Sequence, residues 1–89
     1  MDKELVTYLV FNDIQDMSGG SRKILKQVQD IKEAYAIVNM IKNVKKLHEY
    51  EHFEIFVYLK SQNDKDVFDY GRRLAYMGYK DEEFKRTVL

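Results

Sequence analysis

The stretch from Arg22 to Leu47 constrains the fold most. Ile24, Val28, Ile31, Tyr35 and Val38 recur at spacings of four and three, the period of one helix face. A second row, Ala34, Ile37, Met40 with Ile41, and Val44, widens the apolar surface. Gly19-Gly20 breaks the chain upstream, and Ser21 is a good N-cap. Lys42, Lys45 and Lys46 fall in the last turns, where cations suit the negative end of the dipole. The spacing predicts a helix from about residue 22 to about residue 47, roughly 39 Å long. A chain of 89 residues has room for one core, so residues 1–89 form a single domain.

The C-terminal third has helical signals too. Asn63 and Asp64 can cap a helix carrying Val67, Phe68, Tyr70, Leu74, Ala75 and Met77, with Gly78 as its C′ residue. Asp81 can cap a last short helix bearing Phe84, Val88 and Leu89. Two segments, 5–11 and 53–59, are β-branched and aromatic, which favours strands. The first, however, runs on into Ile14 and Met17, and as a helix it gathers Val6, Val10, Ile14 and Met17 on one face. In the second, Phe56 and Tyr58 fall where strand alternation asks for polar residues. Two lone strands joined by a long helix would also make an unstable sheet. The expected fold is therefore all-α, a small helical bundle with one long central helix. The alternative is α+β, with strands near 5–12 and 53–60.

Charge and composition narrow the chemistry. Fifteen basic and fifteen acidic residues cancel, which argues against a general polyanion binder. The absence of cysteine removes disulfides and thiolate metal sites. No apolar run reaches the length of a membrane span, and Met1-Asp2-Lys3-Glu4 does not open a leader peptide. No membrane contact is expected. The expected compartment is the cytoplasm, or the host cytoplasm for a viral gene. An origin in a phage or mobile element suits this size and composition.

His48-Glu49-Tyr50-Glu51-His52 satisfies the H-E-x-x-H pattern and resembles that of zinc metallopeptidases. The resemblance covers five residues. It implies His48 and His52 as ligands and Glu49 as general base, with a third ligand from Asp64, Asp66, Asp69, Glu82 or Glu83. Against it stand the charged Glu51 between the histidines, the little chain left for a substrate cleft, and the expected helix end at this point. No metal, no cofactor and no catalytic residue are expected. Residues 74–84, with Met77-Gly78-Tyr79 at their centre, resemble the loop of ubiquitin-associated domains, but that fold's third helix would have no sequence left. The segment reads instead as a helix–Gly–helix corner.

Two surfaces remain. Ser18-Gly19-Gly20-Ser21-Arg22-Lys23 places glycines and cations at a helix N-terminus, an arrangement for an anion or nucleotide held by Ser21, Arg22, Lys23 and Lys26. Lys42, Lys45 and Lys46 extend a basic patch suited to nucleic acid. Tyr35, Ile37, Val38, Ile41 and Val44 form an apolar row suited to a second copy of the chain. The function expected from these features is a non-enzymatic helical interaction protein that self-associates and regulates a protein partner. The second expectation is a nucleotide- or nucleic-acid-binding protein, and the third is a zinc hydrolase.

Overall fold

The computed structural model describes residues 4–13 and 21–87. Their order is β1 (Leu5–Asp13), β2 (Ser21–Val28), α1 (Ile31–Val44), β3 (Glu51–Leu59), α2 (Asp64–Tyr70), β4 (Arg72–Met77) and β5 (Lys85–Arg86). The strands form one antiparallel sheet in the order β2-β1-β3-β4-β5. The described residues form a β-sheet domain with two short helices, so the all-α bundle is corrected.

The sheet forms because both ambiguous segments are strands. β1 and β3 pair without a break from Leu5 opposite Leu59 to Asp13 opposite Glu51. They lie at the positions 5–12 and 53–60 weighed above, and three further strands complete the sheet around them. Alternation is blurred because both faces are covered. Leu9, Phe53, Ile55, Ala75 and Met77 pack on one face, beneath Ala34 and Val38 of α1. Val6, Tyr8, Val10 and Phe56 pack on the other, beneath Val67 of α2, with Tyr58 and Phe68 beside them. A strand buried on two sides reads as a continuous apolar run. Phe56 therefore sits in the second core, 5.8 Å from the ring of Phe68. Ile14 and Met17, which favoured the helical reading of the first segment, lie outside the described residues.

The long helix of 22–47 is two elements. Ser21–Val28 is the edge strand β2, and α1 starts only at Ile31. The Asp30 side chain accepts from the Glu33 backbone N–H at 2.9 Å, and the Glu33 carboxylate accepts from the Gln29 N–H at 2.9 Å. This reciprocal cap fixes the helix start. The helical spacing through β2 arises from a register shift opposite Leu9 and Val10. That shift sends Ile24 to the second face while Leu25 and Val28 stay with the first. Four-three spacing here marks a bulged strand.

The C-terminal helices are corrected likewise. Asn63 does cap α2, accepting from the Lys65 N–H at 3.1 Å. The helix ends at Gly71, though, and Leu74, Ala75 and Met77 lie in β4. A Cβ on Gly71 would lie 2.2 Å from the Val67 carbonyl oxygen and 3.1 Å from that of Val57. Only glycine lets the chain turn there from helix to strand. Asp81 caps no helix. Its carboxylate accepts from the Gly78 N–H at 2.8 Å and closes the turn into β5. Val88 and Leu89 lie outside the described residues.

Candidate functional site

Crossing from β2 to β3, the chain carries α1 over only part of the first face. Beyond its N-terminus the sheet stays open. There Thr7, Val28, Ile55 and Ala75 floor a groove of about 520 Å³, with Asp30 and Ile31 at one rim and Arg72, Arg73, Leu74, Arg86 and Thr87 at the other. Sites for small ligands fall in this size range and combine an apolar floor with a few polar groups. Arg72 is the cross-strand partner of Val57 and Arg86 that of Ala75, so both belong to the first face. Neither has an ion-pair partner among the described residues. Leu5, Ile31 and Leu74 are 66%, 47% and 39% exposed, so apolar surface extends around this open half.

The second face carries a polar cluster. Glu54 lies in the middle of β3 and is fully buried. Arg22 of β2 donates from Nε to its Oε1 at 2.9 Å and from Nη2 to its Oε2 at 3.2 Å. Arg73 of β4 donates from Nη1 to the same Oε2 at 3.1 Å. His52 Nε2 stands 3.9 Å from Oε2, an electrostatic contact too long for a good hydrogen bond. Burial alone would raise the pKa of Glu54, but His52 and the two guanidiniums outweigh it and hold the carboxyl down at about 2. Asn12 is the cross-strand partner of both Arg22 and His52, and its buried Oδ1 has no hydrogen-bond partner among the described residues.

The two histidines do not converge. Residues 48–52 form a turn and the start of β3, and each imidazole meets a different carboxylate. His48 Nε2 is 3.0 Å from Glu51, on the α1 side of the strand, whereas His52 faces Glu54 on the other side. Glu49 is exposed. The zinc-peptidase geometry needs both histidines on one helical face, so that pattern is corrected. Asp13, His48 and Glu51 do offer ligand atoms within 4.8 Å of one another. The Lys45 ammonium already lies on Glu51, however, and the His48 backbone N–H donates to the same carboxylate. Burial raises the Glu51 pKa, but these donors outweigh it and leave it lowered.

The other expected site residues are dispersed. Gly19-Gly20 lies outside the described residues, and Ser21-Arg22-Lys23 opens a strand, so the expected helix N-terminus does not form there. Ser21 donates to the Asp13 carbonyl at 2.8 Å. Lys23 and Lys26 belong to the face opposite Arg22, and Lys26 pairs with Glu33 at 2.8 Å. Lys42 donates to the Asp81 carbonyl at 2.6 Å, Lys45 pairs with Glu51, and Lys46 is exposed. The apolar row mostly points inward. Val38 is fully buried, and Ile37 and Ile41 pack against the first core. The Tyr35 hydroxyl accepts from the Phe84 N–H at 2.9 Å, and Val44 alone is strongly exposed.

Arg72, Arg86, Glu54, Arg73 and Asn12 were not singled out as site residues in the sequence. Glu54 had a readable signal, since a charge inside Phe53-Glu54-Ile55-Phe56 must be paired if the run is buried. Compared with known protein families, curated proteins and solved structures, the chain matches none.

No helix among the described residues is long and apolar enough to cross a membrane.

Proposed function

We propose that the chain is a non-enzymatic binding domain whose groove takes a small amphipathic anion. The observation that carries this reading is the groove itself, with an apolar sheet floor and, at one rim, Arg72 and Arg86, which have no ion-pair partner among the described residues. A ring or short acyl body lies on Thr7, Val28, Ile55 and Ala75, and its carboxylate, sulfonate or phosphate meets Arg72 and Arg86. Burying the apolar body supplies most of the affinity, and the guanidiniums orient the ligand. The helical interaction module is set aside, because its long helix is absent and most of its apolar row packs into the chain's own core. The zinc-hydrolase reading is set aside because His48 and His52 do not converge and stand beside different carboxylates.

The test uses 8-anilinonaphthalene-1-sulfonate, an apolar ring system with one anionic group. Saturable fluorescence enhancement at one site per chain is expected. Charge reversal at both rim positions, Arg72→Glu with Arg86→Glu, should weaken binding tenfold or more, because each charge-assisted contact is worth about 1.5–3 kcal/mol. The circular dichroism should not change, since both side chains are exposed. Equal binding by the folded double variant would refute the groove as the site.

A further inference from the structure

On the second face, two guanidiniums meet on one carboxylate oxygen. Arg22 Nη2 and Arg73 Nη1 both donate to Glu54 Oε2. Two cations on one anion leave a net positive charge. One carboxylate offsets only part of their mutual repulsion, so a second anion is favoured beside them. Donors remain for it. Arg22 uses Nε and Nη2 on Glu54, and Arg73 uses Nη1 on Glu54 and Nε on the Thr87 hydroxyl. Among the described residues, Nη1 of Arg22 and Nη2 of Arg73 have no hydrogen-bond partner, on side chains 35% and 36% exposed. Each guanidinium also stacks on a ring, Arg22 at 5.4 Å from the Phe56 centroid and Arg73 at 5.3 Å from that of Tyr76. Stacking and bonding together hold both forks before any ligand arrives.

Asn12 supplies the independent observation. It shares the face of Arg22 and His52, lies between them in register, and is only 3% exposed. Its Oδ1 has no hydrogen-bond partner among the described residues, whereas buried acceptors are nearly always satisfied. The cluster therefore shows two unmet demands, for anionic oxygens and for a hydrogen-bond donor.

We propose that the Arg22–Glu54–Arg73 cluster is a binding site for a phosphate group. Phosphate oxygens take the two leftover guanidinium N–H groups, and a water bridging to a phosphate oxygen donates to Asn12 Oδ1. Glu54 does not oppose this, because guanidinium N–H groups cover both of its oxygens. Glu54 and its guanidinium contacts lie on the second face, and the site adjoins the groove at Arg73 and Thr87, which also line the groove.

The test is NMR of the full chain, reading the two histidine imidazoles and the arginine Nε–H signals. The probes are inorganic phosphate, adenosine monophosphate and a single-stranded deoxyoligonucleotide, each against chloride at equal ionic strength. Saturable shifts at His52, Arg22 and Arg73, with His48 unmoved, are expected. Saturation by inorganic phosphate or the mononucleotide assigns the site to free phosphate or a monoester. Saturation by the oligonucleotide alone assigns it to a phosphodiester backbone. Arg73→Lys keeps the charge but loses the fork, and should weaken the binding about tenfold. If that variant does not fold, the unmodified chain still decides. The proposal is overturned if no probe saturates, if chloride reproduces the shifts, or if His48 moves as much as His52.

Discussion

Replacing Glu54 with Gln tests the electrostatics of the second face. The buried carboxyl titrates at about 2 in the folded chain, against an ordinary value of 4.5. The difference, 4.5 − 2 = 2.5 pKa units, corresponds to about 3 kcal/mol at roughly 1.4 kcal/mol per unit. The folded pKa is the lower one, so this stabilisation is fully present above pH 4.5 and is lost as the pH falls toward 2. Glu54→Gln keeps the shape but removes the charge on which Arg22 and Arg73 converge. At pH 7 the variant should be less stable by about 3 kcal/mol, the scale seen when one partner of a buried ion pair is removed. Urea unfolding of both chains at intervals from pH 7 to pH 2 reads the effect. Glu33, Glu51 and Asp81 also have lowered pKa values, but they are present in both chains and cancel in the difference. The stability gap should therefore hold above pH 4.5 and narrow steadily below it. A gap that is constant across that window would refute the coupling between Glu54 ionisation and folding.

Two further outcomes test the packing. Gly71→Ala should lower stability by about 2 kcal/mol, or about 10 °C in a thermal melt, because its Cβ would collide with the Val67 carbonyl; an unchanged melt would refute the close approach. Phe53→Ala should cost about 3–5 kcal/mol in urea unfolding, since Phe53 is fully buried, with its ring 5.7 Å from that of Phe11; a loss under about 1 kcal/mol would refute the packed first core.

Much of the chain was legible in local chemistry, and the errors have physical causes. The apolar spacing from Ile31 to Val44 does describe a helix face, with Ala34 and Val38 at its centre. Its start was legible as well, because Asp30-Ile31-Lys32-Glu33 has the spacing of a capping box. Ser21 competed as a cap only because the bulged β2 imitates a helical period just upstream. Strand propensity at 5–11 and 53–59 pointed to the sheet. What concealed it was cover on both faces, which made Phe56 and Tyr58 look misplaced. Their partners include α2, which follows directly, but also β1 and β2, which lie some thirty or more residues away, so no local window contains the whole reason for their burial.

The site was less legible because it is built by register. Arg22, Asn12, His52, Glu54 and Arg73 come from four strands and meet only once the pairing is fixed. A one-residue slip of β3 would send Glu54 to the first core and leave Arg22 and Arg73 facing apolar side chains. The same slip would break the unshifted pairing of β1 with β3, so sheet and cluster specify one another. The pairing of buried Glu54 with half-exposed Arg22 and Arg73 thus favours this register as well as concentrating positive charge on the second face. The histidine motif followed the opposite course. Five adjacent residues suggested one metal centre, but His48 lies ahead of the turn at residues 49–50 and His52 lies in β3, so no single backbone period links them and they ended beside different carboxylates. Spacing within a sequence carries chemistry only after the period of the backbone beneath it is known. In this chain that period changes from turn to strand inside the motif itself.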